Sequence, residues 1–204
     1  MAVDILLICL IFSIYAAVHS WTAGSRFKAY IQRRFPAVYP FYRLFYTLFS
    51  LGSLWLAWVI SPKPFLLIYE LAYPYDLLIL IPKALAAAGI LYTFRYFNGM
   101  RFLGITQSIK YIKTGDAASA AGEPDDFTEK GPYIYSRHPL YMYSILFLVF
   151  QPYVDLVYLL LTVIAILYFY IGSVYEERKL IVQFGEKYVK YKKRVPRIFP
   201  WDYF

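Results

Sequence analysis

Two clusters of polar residues flank a long apolar run in this chain. The first is Gly131-Pro-Tyr-Ile-Tyr-Ser-Arg-His-Pro-Leu-Tyr141. The second is Glu176-Glu177, followed by Phe184-Gly185-Glu186 and Tyr188-Val-Lys-Tyr-Lys-Lys-Arg-Val-Pro196. These residue types suit a charged, hydrogen-bonding ligand. A glutamate accepts from hydroxyl and amino donors, Arg137 or His138 faces anionic groups, and the π face of Tyr133 or Tyr141 attracts a cation. His138 is also a candidate general base. Taken singly, each has a plainer reading: His138 as a helix cap or interfacial residue, Glu176-Glu177 as a solvated pair, the tyrosines as interfacial aromatics. Their joint spacing at both ends of an apolar run favours a shared site at a membrane surface, where an ionisable cluster is costly and functional by default.

The elements that position these residues follow from composition. Hydrophobic residues make up 60% of the 204 and charged residues only 17%, whereas a soluble domain carries nearer about 25% charged. Aromatics reach 22%, with 23 Tyr, as interfacial belts require. The single Cys9 permits no intrachain disulfide and says little of redox compartment. A bilayer core of ~30 Å needs roughly 20 apolar residues as a helix. Residues 3–21, 41–60 and 76–96 meet that need; the first reads as an anchor because no basic segment or cleavage site marks a signal peptide. Residues 139–174 are too long for one span, and Gln151-Pro-Tyr-Val-Asp155 interrupts them, so a hairpin of about 139–151 and 155–175 is predicted. The spacing of Leu180, Ile181, Phe184, Tyr188 and Tyr191 predicts an amphipathic helix over 176–195, continuous with the last span. The fold expected is an all-α integral membrane protein with five transmembrane helices, a C-terminal helical hairpin and an amphipathic tail helix, forming one domain over 1–204 with a three-helix part at 1–98.

Charge placement sets the expected topology. Of 21 basic residues, all but Lys63 and Lys83 fall in the segments 22–43, 95–137 and 178–197, on one side of a five-span chain. The positive-inside rule then puts the N-terminus outside and the long loop and C-terminus in the cytoplasm. The net charge of +8 reflects topology and anionic lipid, so no nucleic-acid partner is needed. Lys83 is expected to snorkel or to pair with Asp76. No Cys/His set has zinc spacing and no glycine-rich phosphate loop is present, so no metal is expected.

The pattern Gly-Pro-Tyr-x-x-x-Arg-His-Pro-x-Tyr, a membrane hairpin, Glu-Glu, Phe-Gly-x-x-Tyr-x-x-Tyr and Val-Pro closely resembles the isoprenylcysteine carboxyl methyltransferase family and the related membrane phospholipid methyltransferases. The match covers about residues 100–200. The N-terminal half resembles bacterial members of the wider superfamily, the NnrU-like proteins and methanethiol S-methyltransferases, through Val18-His19-Ser20 with Arg26 and Lys28, Tyr42-Arg43-Leu-Phe-Tyr46, and Phe102-Leu-Gly104 with Gln107.

The resemblance implies a membrane methyltransferase that uses S-adenosylmethionine, bound by the part 99–204. Its cofactor contacts would fall on Gln107, Asp125, Asp126, Phe127, Thr128, Tyr133, His138, Pro139, Leu140, Tyr141, Glu176 and Glu177, with Arg137 and His138 as the candidate catalytic residues. The acceptor implied is a hydrophobic or lipid-like carboxylate, thiol or amine among membrane lipids. Prenylcysteine enzymes carry an arginine one turn before the conserved Glu, where this chain has Gly172, which leaves room for a different acceptor or for helix packing and makes a lipid or a small hydrophobic thiol at least as fitting an acceptor as a prenylated protein. Two other classes stand beside this reading. One is an NADPH-using reductase like the membrane sterol reductases, and the other is a non-catalytic NnrU-like accessory protein.

Overall fold

The apolar runs fold as helices because a bilayer interior leaves the backbone no partner but itself. In chain order these are α1 (Ala2–Ala23), α2 (Ser25–Arg34), α3 (Tyr42–Ile60), α4 (Tyr75–Leu78), α5 (Leu80–Thr93), α6 (Gly99–Phe102) and α7 (Ile105–Thr114). They continue with α8 (Pro139–Val149), α9 (Leu156–Phe184) and α10 (Glu186–Lys192), and two strands, β1 (Leu67–Glu70) and β2 (Tyr153–Asp155), join them. The computed structural model describes residues 1–117 and 127–201. Among these residues, Ala2–Ala23, Tyr39–Ile60, Tyr75–Tyr96 and Leu156–Phe184 are long and apolar enough to cross a membrane. Large apolar side chains such as Leu6, Trp55, Leu85 and Val163 are exposed on them, as lipid-facing helices require. The protein is a helical integral membrane protein.

The chain divides into two units. The first comprises Met1–Lys63 and Phe97–Asp125. Here α1 packs on α3 through a polar contact inside an apolar pair: His19 Nδ1 lies 2.9 Å from Ser50 Oγ, and the Tyr46 hydroxyl lies 2.8 Å from His19 Nε2. Tyr42 donates to the Thr22 carbonyl. Arg43 Nε donates to the Phe102 carbonyl at 2.7 Å, which fixes α6 against the start of α3. Gly104, at φ +86°, makes that approach possible, since a Cβ there would sit 2.3 Å from the Leu44 nitrogen. Only glycine combines a positive φ with so close a backbone.

The second unit comprises Pro64–Tyr96 and Asp126–Phe204. Its apolar pair is α5 against α8, with Ala86 and Thr93 buried on the α5 face. Gly89 lets the Tyr143 ring lie on the α5 backbone, because a Cβ there would come within 2.4 Å of the ring. Small residues serve this purpose in membrane helix pairs. Gly89→Leu is therefore expected to cost about 1–3 kcal/mol by overpacking, read as a lower thermal midpoint of the detergent-solubilised protein.

The hairpin of α8 and α9 is present, with Asp155 Oδ1 capping α9 by accepting from the Tyr158 nitrogen at 2.7 Å. Between the two helices the structure departs from an all-helical expectation. β2 pairs antiparallel with β1, with Leu67 opposite Asp155 and Glu70 opposite Tyr153. Pro152 stops a helix, and the chain beyond it satisfies its backbone on the β-prone run Leu67-Ile-Tyr-Glu70 instead. Lys83 is held there too, donating to Gln151 Oε1 and lying 4.8 Å over the Phe147 ring. The pairing considered with Asp76 gives way to this contact, and Asp76 Oδ1 accepts from the Leu77 nitrogen at 2.9 Å.

The 29 residues of α9 extend about 44 Å at 1.5 Å per residue, longer than the ~30 Å core, and its charged end carries Glu176 and Glu177. The tail is not one continuous helix. Gly185, at φ +55°, ends α9 and the chain resumes as α10. The fold there is a reversal that lays α10 against α9, with Tyr188 and Tyr191 buried beside Phe184 and Leu180.

Candidate functional site

The site belongs to the second unit, where α8 begins. Three successive residues, Ser136, Arg137 and His138, clamp the segment after α10. The Arg137 and His138 nitrogens donate to the carbonyls of Pro196 and Arg197 at 2.9 and 3.0 Å. Ser136 Oγ donates to the Arg197 carbonyl at 3.1 Å and accepts from the His138 nitrogen at 3.1 Å. Pro139 then starts the helix with its φ already set. Gly131, at φ +61°, positions the turn before the clamp. A Cβ there would strike the Tyr96 ring at 2.1 Å.

Glu177 is the electrostatic centre. It is 2% exposed, and its Oε1 accepts from Arg137 Nε at 2.7 Å. Arg197 Nε and His138 Nε2 stand 3.5 Å from the same oxygen, and Lys192 Nζ stands 3.4 Å from Oε2. A buried carboxylate is tolerated only with such compensation. A second nitrogen of the Arg137 fork goes to backbone, with Nη1 donating to the carbonyls of Lys192 and Val195 at 2.7 and 2.9 Å. Arg137 and Glu177 together tie α8, α9 and the α10 end into one knot.

Glu176 faces the other way, with its side chain 48% exposed. Tyr141 donates to its Oε2 at 3.0 Å and His138 Nδ1 lies 3.4 Å from that atom. Above it the rings of His138 and Tyr141 stack at 5.3 Å and 5°, and Tyr141 stacks on Phe169 at 5.0 Å and 16°. A carboxylate open to a ligand thus lies beside a three-ring aromatic column.

Burial works against the charged form of His138, but the carboxylates of Glu176 and Glu177 outweigh it and hold the imidazole above its ordinary 6.5. The sign of the linkage follows. A raised folded-state value contributes stability that is complete below about pH 6.5 and is lost as pH rises through the raised value. The thermal midpoint is expected to fall with pH above about 6.5, and His138→Gln should flatten that fall. Tyr133 is pushed up to about 12 by burial and by Glu176, so it stays a neutral phenol. Tyr188 and Tyr191 are pushed up by burial as well.

The structure thus brings Tyr133, Arg137, His138, Pro139, Tyr141, Glu176 and Glu177 together. The Tyr133 carbonyl accepts from Tyr191 at 2.7 Å. Phe127 is there as a packing residue, with its ring centroid 5.1–5.6 Å from those of Phe184, Tyr188 and Tyr191. Thr128 Oγ1 accepts from the Lys130 nitrogen at 3.3 Å, and Leu140 is half-buried on α8. Asp125 and Asp126 lie outside the described residues. Gln107 belongs to the first unit, where its Nε2 donates to the Arg101 carbonyl at 3.0 Å.

Three residues join the set that the motif alone did not single out: Phe169, Lys192 and Arg197. Phe169 stands two turns before Glu176 on the same helix face, a spacing visible in the sequence. Nothing in the sequence distinguishes Lys192 or Arg197 from the other basic residues of the tail. Several buried polar atoms of the knot have no hydrogen-bond partner among the described residues: Arg137 Nη2, His138 Nε2, Glu177 Oε2, Tyr188 Oη and Arg197 Nε. Such atoms in one cluster leave spare hydrogen-bonding capacity beside the open carboxylate.

Comparison with known proteins finds relatives along nearly the whole chain. Methanethiol S-methyltransferase 1 of Bradyrhizobium diazoefficiens is 29% identical over 194 residues, covering 94% of this chain and 65% of the relative. Methanethiol S-methyltransferase of Crocosphaera subtropica is 29% identical over 194 residues, covering 92% and 71%. The enzyme of that name from Pseudomonas deceptionensis is 28% identical over 205 residues, covering 97% and 72%. The chain therefore spans about two thirds of the length of these curated relatives. No protein-family model matches the chain, and no solved structure matches it.

Proposed function

We propose that this chain, a homologue of the methanethiol S-methyltransferases within the isoprenylcysteine carboxyl methyltransferase-like family, is a membrane methyltransferase that uses S-adenosylmethionine and acts on a small thiol. The observation that carries this reading is the half-exposed Glu176 carboxylate beside the column of His138, Tyr141 and Phe169. Those residues fit the donor. Glu176 accepts from its hydroxyl or amino groups, the ring column offers a π face to adenine or to the sulfonium, and Arg137 Nη2, which has no hydrogen-bond partner among the described residues, suits an anionic group nearby. The relatives favour methyl transfer over the reductase and accessory readings.

The bound donor supplies an electrophilic methyl on a cationic sulfur. What the chain contributes is position and exclusion of water. His138, drawn toward its charged form by two carboxylates, stands 3.4 Å from Glu176 and helps hold it in place. The acceptor reacts as thiolate, the nucleophilic form. Gly172, one turn before Glu176, has nothing within 4 Å of where a side chain would begin, which leaves that face free for an acceptor other than a prenylated chain end.

The topology belongs to the same proposal. The arm from α8 through β2 is about 16 Å of helix plus roughly 20 Å of extended chain, enough for a fifth crossing of a ~30 Å core. The basic segments then lie on the cytoplasmic side with the C-terminus and the site, and the N-terminus lies outside. The test is transfer itself: purified protein incubated with methyl-labelled S-adenosylmethionine and methanethiol is expected to release labelled dimethyl sulfide. Label in lipid extract instead of the volatile product would overturn the acceptor, and label in neither would overturn the transferase reading.

A further inference from the structure

In the first unit, α7 carries an apolar stripe that faces outward. Ile105, Ile109 and Ile112 fall within about 60° of one another at ~100° per residue, and Ile109 and Ile112 are 45% and 72% exposed. The inner side of the helix is filled: Ser108 is buried, and the Tyr111 ring meets the Phe41 ring edge-on at 5.5 Å and 85°. Lys110 and Lys113 lie exposed on one flank of the stripe, and α7 itself carries no acid. Phe102 and Leu103, just before it, are exposed as well.

The place of α7 along α3 decides what covers that stripe. Thr47 Oγ1 donates to the Leu103 carbonyl at 3.4 Å, and Gly104 abuts the Leu44 backbone. At 1.5 Å per residue, Thr47 lies about 12 Å into the apolar span that begins at Tyr39, whereas Phe41 lies only about 3 Å into it. The helix thus starts at acyl-chain depth and climbs beside the first turns of α3 to the headgroup level, where its lysines are. A soluble partner could reach Lys113 at that level but not Ile105 or Ile109 below it. Apolar side chains at this depth meet lipid, and lysines at the shallow end extend to headgroup phosphates. We infer that α6 and α7 form an oblique interfacial anchor that recognises an anionic lipid surface, with Ile109 and Ile112 among the acyl chains and Lys110 and Lys113 on the phosphates.

The inference stands apart from the methyl-transfer reading, so its test needs no turnover. Nitroxide labels are placed singly through Ile109→Cys, Ile112→Cys and Thr114→Cys in a Cys9→Ser chain, reconstituted in nanodiscs of phosphatidylglycerol or of phosphatidylcholine. Collision with oxygen, which concentrates in lipid, is compared with collision with a water-soluble nickel chelate. In phosphatidylglycerol the label at 109 is expected to be the deepest, that at 112 shallower, and that at 114 open to nickel. Each lysine near an anionic surface favours the docked helix about fivefold. Nickel access at 112 should therefore rise at least about twofold in phosphatidylcholine, and Lys110→Gln with Lys113→Gln should remove that lipid dependence. On the unaltered chain, amide hydrogen exchange over residues 105–114 should be slower in phosphatidylglycerol than in phosphatidylcholine. Nickel access at 109 and 112 equal to that at 114 would overturn the anchor. Labels there shielded from oxygen and nickel alike would overturn it too, by showing a protein partner or a second copy on the stripe. Equal exchange of the unaltered chain in the two lipids would overturn the recognition of anionic lipid.

Discussion

Glu177→Gln is expected to destabilise the protein by roughly 3–5 kcal/mol, the range for removing one partner of a buried ion pair. The carboxylate is 2% exposed and faces Arg137, His138, Lys192 and Arg197. An amide of the same shape can still accept from Arg137 through its carbonyl oxygen but carries no charge, and it leaves Arg137, two further cations and an imidazole crowded in a buried space without the carboxylate that balances them. The damage should be local first. The α10 segment, held by the Arg137 fork at Lys192 and Val195, should open to protease at the Tyr191–Pro196 stretch before α5 and α8 separate. Limited proteolysis alongside thermal unfolding reads both stages. A Glu177→Gln protein as stable and as protease-resistant as wild type would remove the knot from the account.

Glu176→Gln is expected to do the reverse. Its side chain is half exposed, so the substitution should leave the fold standing within about 0.5 kcal/mol. It removes the charge that a bound donor would meet. A charge-assisted hydrogen bond contributes roughly 1.5–3 kcal/mol, so affinity for S-adenosylhomocysteine should drop about ten- to a hundredfold. Tyr141→Phe should fall between, because it keeps the stack on His138 and Phe169 and gives up only the hydroxyl that holds Glu176. Two adjacent carboxylates thus acquire opposite phenotypes, one structural and one of binding.

The sequence made part of this division legible. Paired acids at the exit of an apolar helix, with Arg-His-Pro at the start of the preceding one, point to a shared site because a hairpin must return both to one side. Pro152 and Asp155 mark where it turns. Which of the two glutamates is buried was not legible. Adjacent helix positions point about 100° apart, so one of them meets Arg137, but only the placement of α10 decides that it is Glu177. That placement depends on the reversal at Gly185, and the periodicity of Leu180, Ile181, Phe184, Tyr188 and Tyr191 reads equally well as one unbroken helix. The β1–β2 ribbon was hidden for a related reason: a four-residue apolar run such as Leu67–Glu70 gives too short a pattern to separate strand from loop. Arg137 looked like a ligand-facing cation because the motif is dense in polar groups. Its neighbours across the fold, the Lys192 and Val195 carbonyls, lie more than fifty residues away in the chain, beyond the reach of any local pattern.

The open carboxylate and ring column of the α8–α9 hairpin are the proposed binding site of the methyl donor. Calorimetric titration of S-adenosylhomocysteine into the detergent-solubilised wild-type chain and into Glu176→Gln, with matching thermal midpoints to show that both are folded, tests it directly. Saturable binding to wild type is expected, with binding weaker by about ten- to a hundredfold in the variant and no heat from NADPH in either. Equal affinity in the two folded proteins, or binding of NADPH in place of S-adenosylhomocysteine, would contradict it.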